Sequence, residues 1–245
     1  MKDTLYIVMP AYNEEDNIEE VIREWHPICE QISAEGHCAK LVIANDGSKD
    51  STYKKMLELQ PKYQYLLPLD KPNSGHGATV LYLYRKALED GANFIFQTDS
   101  DGQTRPNEFW EMWKNRNAYD FQIGTRGERQ DGFSRVVVTK TLRLVVWIMF
   151  HVWVKDANTP FRLMKSEKLT AILKVIPTDY NLANVAVSAI AVRWKYSIRW
   201  QPITFRPRQG GVNSINMKRI FKIGWKAIGD FRAITKNLKK YEKVN

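Results

Sequence analysis

The sequence predicts an α/β fold, a mostly parallel sheet covered by helices on both faces. Two observations predict it. Short apolar runs that read as buried strands alternate with segments of helical spacing through the first half of the chain. Polar turns rich in Asp, Asn and Gly follow the ends of those runs, on the edge where such sheets bind ligands.

In order, "TLYIVMP" reads as the first strand, and "NEEDNIEEVIREWHPICEQI" as a helix with its apolar face at Ile18, Val21, Ile22 and Trp25. "KLVIAND" is a second strand, and Ser48 to Thr52 opens a second helix. "YQYLLPL" is a weaker strand, and "GATVLYLYRKALEDGA" a helix closed by Gly91. "NFIFQTD" is a strand, "PNEFWEMWKN" a helix and "DFQIGTR" a fifth strand. "EKLTAILKVI" and "LANVAVSAIAVRW" read as two further helices, and "SIRWQPITFRPR" as an extended pair.

Between these halves lies "SRVVVTKTLRLVVWIMFHVWVKD", bordered by Arg135, Lys140, Arg143 and Lys155. It reads either as a core helix or as an interfacial one, since Trp147 and Trp153 with flanking cations suit a headgroup region. The chain from Asn213 reads as a basic amphipathic helix. Ile220, Ile223, Ala227, Phe231, Ile234 and Leu238 form its apolar stripe, and only Asp230 and Glu242 oppose its many lysines and arginines.

Composition narrows the function. A net charge of +10 over 245 residues points to an anionic partner. Cys29 and Cys38 are the only cysteines and lack metal-type spacing, which argues for a reduced cytosolic setting and against a disulfide framework. The first residues lack a signal-peptide layout, and no apolar stretch reaches the roughly 20 residues that span a bilayer. Any action at a membrane is expected at its surface.

"FIFQTDSDGQT" drives a buried strand into two carboxylates and an amide, Asp99, Asp101 and Gln103. Such carboxylates repel each other unless something positive joins them. An oxygen-only set of this kind suits Mg2+ or Mn2+, with water and phosphate oxygens filling the other positions. A cation there would make a diphosphate a better leaving group.

"PAYNEEDNI", "NDGSKDST", "NSGHGA", "TDSDGQT" and "GTR", in this order, resemble the motifs of family 2 glycosyltransferases of GT-A fold. The spacing from Asp99 to Gln103, followed by Pro106, resembles the polyprenyl-phosphate sugar synthases within that family. The resemblance implies a nucleotide-sugar core over residues 1–132. It makes 133–245 an acceptor-side region, continuous with the core and carrying membrane-surface amphipathic helices.

It further implies that Pro10, Ala11, Tyr12, Glu14, Ala44, Asp46, Thr98, Asp99 and Ser100 form the nucleotide-sugar site. Asp99, Asp101 and Gln103 would hold the metal, Asp101, Arg126 and Arg208 would serve catalysis, and Arg135, Arg162 and Ser214 would face the acceptor phosphate. The activity implied is inverting, metal-dependent transfer from a nucleotide-diphosphate sugar to a polyprenyl phosphate. Its setting would be the cytoplasmic face of an anionic membrane, with a membrane-anchoring protein or a homo-oligomer as further partners.

The sequence departs from the family where Pro160 replaces a glycine in "DANTPFRLM", where Gln201 replaces an acidic residue, and near Asn184, where a carboxylate is missing. A hydroxyl acceptor needs a general base and a phosphate acceptor does not, so these losses lean toward a lipid phosphate. A hydroxyl-acceptor enzyme using Asp179 as base is the alternative. A basic phosphate- or nucleic-acid-binding protein is the non-enzyme reading. Nucleic acid is not expected, because unmetallated carboxylates at Asp99 and Asp101 would repel its backbone.

Overall fold

The computed structural model describes residues 2–126, 143–206 and 217–243, with the main chain alone at 126, 217–228 and 230. Its strands are β1 (Thr4–Ala11), β2 (Cys38–Asp46), β3 (Leu66–Lys71), β4 (Phe94–Gln97), β5 (Phe121–Arg126), β6 (Arg162–Lys165) and β7 (Ile198–Ile203). The longer helices are α1 (Ile18–Ala34), α2 (Thr52–Leu59), α3 (His76–Glu89), α4 (Phe109–Lys114), α5 (residues 143–150), α6 (Ser166–Leu173), α7 (Ala183–Arg193) and α8 (Met217–Glu242).

One seven-stranded sheet runs β3-β2-β1-β4-β6-β5-β7. All pairings are parallel except those of β6, which is antiparallel to both neighbours. The expected mostly parallel sheet with helices is therefore present. β6 was not expected. It is only four residues long, follows Pro160, and is a strand because Phe94–Gln97 and Phe121–Ile123 offer it ladders on both sides. Of the expected extended pair at 197–208, the described residues to 206 hold one strand, β7, which pairs with β5.

Strand alternation divides the core into two layers. On one face Ile7, Met9, Leu41 and Ile43 pack with Trp25 and Phe109 beneath α1 and α4. On the other, Tyr6, Val8, Val42 and Ala44 pack beneath α3 and α7. The second layer takes in Phe150 of α5 and Phe231, Ile234 and Leu238 of α8. Phe150 and Phe231 meet edge to face, with ring centres 5.2 Å apart. The far half of the expected amphipathic stripe on α8 is thus core, and the rest of that stripe lies outside the described side chains.

Among the described residues no helix is long and apolar enough to cross a membrane.

Candidate active site

The carboxyl ends of β1, β2 and β4 open into a cleft of about 500 Å3. It is lined by Pro10, Ala11, Tyr12, Glu14 and Asp46 along one side, with Asn73, Gly75, His76, Asp99, Ser100 and Asp101 completing it. Parallel strands leave their last carbonyls and the following loops on one edge, so the fold itself collects these groups.

The wall after β2 is fastened by one carboxylate. Asp46 Oδ1 accepts from Lys71 Nζ (2.5 Å) and Ser74 N–H (2.8 Å), and Oδ2 accepts from Gly75 N–H (2.9 Å). Burial pushes the Asp46 pKa up, but these bonds outweigh it and hold the carboxyl below its ordinary value. Asp46 was expected to contact base or ribose. It lines the cleft, but its oxygens are engaged in holding the 72–75 turn.

That turn explains two glycines of "NSGHGA". Gly75 has φ +88°, which aims its N–H at Asp46. A Cβ on Gly77 would lie 2.1 Å from the Asn181 carbonyl, so only glycine lets the loop before α7 sit on the first turn of α3.

The opposite wall follows β4. Ser100 Oγ donates to the Pro10 carbonyl (2.8 Å), joining the two loops at the cleft floor. Asp99 Oδ1 lies 3.1 Å from His76 Nε2. Desolvation would lower the His76 pKa, yet Asp99, Asp101 and Asp46 overcome it and raise the value. The carboxylates at this end of the cleft thus favour the charged imidazolium. Asp101 Oδ1 accepts from the Gln103 N–H (3.1 Å). Gln103 Nε2 donates to the Arg206 carbonyl (3.1 Å), and Arg206 N–H donates to the Gln103 carbonyl (2.8 Å). Gln103 thus couples the Asp99–Asp101 loop to the chain beyond β7, and it is not among the residues that line the cleft.

The residues present fit a hard divalent ion. The donors are all oxygen, two carboxylates and an amide. Among the described residues no group of three or more His, Cys, Asp or Glu could hold a metal by itself. The remaining positions would belong to water and phosphate oxygens.

Three expected site residues are elsewhere. Ala44 is fully buried in the α3-side core, because alternation along β2 turns it inward with Val42. Thr98 is fully buried and shares a hydrogen bond with Thr104 Oγ1 (2.7 Å), so it shapes the loop from below. Arg162 is 0% exposed. Its guanidinium donates to the main-chain carbonyls of Thr159 and Asn184 and to Ser188 Oγ, so it knits β6 to α7 instead of facing a phosphate.

β5 ends at Arg126, whose side chain lies outside the described residues, as do Arg135, Arg208 and Ser214. Asn73, Gly75 and His76 line the cleft without having been assigned to it. The signal was present in "NSGHGA", but only the paired geometry of β2 and β3 shows that this turn folds back over Asp46.

A family model described as glycosyl transferase family 2 matches residues 6–170. The UDP-N-acetylglucosamine--dolichyl-phosphate N-acetylglucosaminyltransferase of Methanococcus voltae is 24% identical over 189 residues, covering 69% of this chain and 72% of the relative. The polyprenol monophosphomannose synthase of Mycolicibacterium smegmatis is 24% identical over 224 residues, 87% of this chain and 82% of the relative. The glucosyl-3-phosphoglycerate synthase of Mycobacterium tuberculosis, solved with Mn2+, UDP-glucose and phosphoglyceric acid, superposes with a TM-score of 0.70 at 14% identity. It covers 95% of this chain and 80% of that one.

Proposed function

The chain belongs to glycosyl transferase family 2, and from that premise we propose that it moves a sugar from a nucleotide-diphosphate donor to a polyprenyl phosphate, with inversion. The observation that carries the reading is one cleft holding both the Pro10–Glu14 strip and the Asp99–Asp101 pair. The first can take a base and ribose, and the second can take the diphosphate through a cation. That relatives named for dolichyl-phosphate and polyprenol acceptors align over most of this chain supports the acceptor class.

In this reading Tyr12 and Glu14 bound the nucleoside, and Asp46 keeps the 72–75 turn shaped around it. Asp99, Asp101 and the Gln103 Oε1 would hold Mg2+ or Mn2+, which supplies Lewis-acid charge to the departing diphosphate. An oxygen of the acceptor phosphate attacks the anomeric carbon as the bond to the donor diphosphate breaks, giving a sugar–phosphate–lipid and a free nucleoside diphosphate. The acceptor arrives ionised, so no side chain need remove its proton. Asp179, the base a hydroxyl acceptor would require, is exposed in the turn ahead of α7 and is not among the cleft-lining residues.

The test is product analysis with UDP- and GDP-sugars, Mn2+ and a polyprenyl phosphate, using wild type and Asp179→Asn. Lipid-linked sugar formed by both, with rates within about threefold, is expected for an acceptor that needs no base. Transfer only to a hydroxyl acceptor, abolished by Asp179→Asn in a folded protein, would replace this reading with the alternative.

A further inference from the structure

We propose that α5 and the turn after it form a bilayer-docking face, in which Leu144, Trp147, Ile148 and Trp153 enter the headgroup region of an anionic membrane. The proposal rests on the lipid-phosphate reading for its purpose, but its evidence is separate from the cleft.

Among the described residues seven large hydrophobic side chains are exposed, and four of them fall within 144–153. Leu144 is 50% exposed, Trp147 43%, Ile148 52% and Trp153 67%. Exposed apolar residues scattered singly need no explanation, whereas a cluster on one surface does. The helix is not short of burial elsewhere. Val146 and Phe150 are in the core, and Arg193 donates to the Phe150 carbonyl (3.1 Å), so the inner face is anchored while the outer one is left apolar.

The two tryptophans pack face to face with ring centres 6.0 Å apart. Their indoles join an apolar body to an N–H donor, the combination favoured where hydrocarbon meets headgroups. Arg143 Nη2 donates to the Lys155 carbonyl (2.6 Å), which ties the guanidinium at the start of α5 to the main chain at the end of the segment. Arg143 and Lys155 are both exposed, and residues 143–155 contain no Asp or Glu.

This rim decides the occupant. A second copy of the chain seated by symmetry would oppose these cations with like charge, and each copy carries a net +10. A bilayer bearing anionic lipid offers opposite charge at the rim and an apolar phase at the centre.

The helix that sequence alone favours for this role is α8, but Phe231, Ile234 and Leu238 are buried in the core. The described part of α8 offers Arg232, Lys236, Lys239 and Lys240 at the surface and no exposed large apolar side chain. It can add attraction to the membrane without supplying the wedge.

The docking face is joined to the site along the chain. From Lys155 the chain runs through Asp156–Phe161 to Arg162, which pairs with Gln97 two residues before Asp99. A membrane held by α5 is therefore linked by a short segment to the edge where a lipid phosphate would react.

The test is sedimentation of the full chain with vesicles of phosphatidylcholine, alone or with about 30 mol% phosphatidylglycerol, without donor, metal or polyprenyl phosphate. Wild type should bind the anionic vesicles, and Trp147→Ser/Trp153→Ser should lower the partition coefficient about tenfold or more at an unchanged Tm. Leu144→Ser/Ile148→Ser serves as a second variant should the first melt early. Transfer to a short-chain, water-soluble polyprenyl phosphate should be unaffected by either variant. Vesicle binding that needs the tryptophans, together with no transfer by wild type, would keep the docking face and remove the acceptor assignment. Equal binding by wild type and variants, no binding, or a wild-type dimer that the variants dissociate would overturn the docking face.

Discussion

The cleft and the outer surface of α5 both carry groups that a folded chain ordinarily hides or neutralises, and they differ in how the protein treats them. In the cleft, Asp46 is satisfied by Lys71 and two main-chain N–H groups, Ser100 is bonded to Pro10, and Asp99 is met by His76. These bonds hold the two walls of the cleft in place. On α5 and the turn after it Leu144, Ile148 and Trp153 are half or more exposed, and Trp153 stacks on Trp147. The first region is preorganised for a charged ligand, since fixed dipoles and charges act on developing charge without rearranging. The second gains only when another phase covers it. Charge is managed inside the fold, while apolar excess is left for something outside.

That contrast can be broken most sharply at Asp101. Asp101→Asn keeps the size but removes the ligand's charge. Turnover should fall about a hundredfold or more, roughly 3 kcal/mol of charge stabilisation, while the Tm without metal stays level or rises. Steady-state rates across a Mn2+ titration, paired with melting curves, check both halves. Near-normal turnover with an unchanged metal response would reduce this loop to ordinary surface.

Arg162 should show the opposite pattern. Arg162→Leu removes the side-chain donor to the buried Thr159 carbonyl and the guanidinium's link to the first turn of α7, and a buried acceptor left unsatisfied costs about 1–3 kcal/mol. The Tm should drop steeply, and KM for the acceptor in the surviving folded protein should hardly change. A large KM effect at modest cost in Tm would return Arg162 to the phosphate role that its position in the sequence implied.

Gly77→Ala tests the close approach of the 180–181 loop. With 2.1 Å to the Asn181 carbonyl, the new methyl must push main chain, a penalty of about 1–3 kcal/mol by analogy with overpacking. Donor binding, followed by nucleotide-dependent thermal shift, should weaken along with stability.

Asp46 gives the pH dependence. Its folded pKa lies below the ordinary carboxylate value, so its contribution to stability is present above the unfolded pKa and is lost as pH falls through the folded one. Asp46→Asn should therefore be less stable than wild type at neutral pH, and the gap should close in acid below about pH 3.8. Denaturant melts at several pH values read this directly, and a gap that widens in acid would reverse the assigned sign.

The smallest expected effect belongs to the α5 surface in free solution. Trp147→Ser should change stability by no more than about 0.5 kcal/mol, as for surface substitutions generally. A larger loss would show that the stacked tryptophans support the fold and are not held ready for a membrane.

Much of this was readable in the chain itself. The order of strands and helices through Arg126, the loop edge on which the site lies, and the Asp99–Asp101 pair all follow from local pattern. Side chains in a parallel sheet report their burial in the sequence, and the loops that follow such strands share one edge by topology. The family motifs were legible for the same reason, being short and contiguous.

Tertiary structure alone decided the rest. β6 is a strand because two neighbours need a ladder between them, and four residues after Pro160 carry no such information. Arg162 is a core fastener because α7 covers it, although an arginine in sequence always looks like a surface charge. In sequence the stripe on α8 looked better suited to a membrane than the apolar run through α5. Packing buries Phe231, Ile234 and Leu238 and leaves Leu144, Trp147, Ile148 and Trp153 outside. Amphipathic periodicity fixes which face of a helix is apolar. What that face meets depends on contacts far away in the chain, and only the assembled fold contains them.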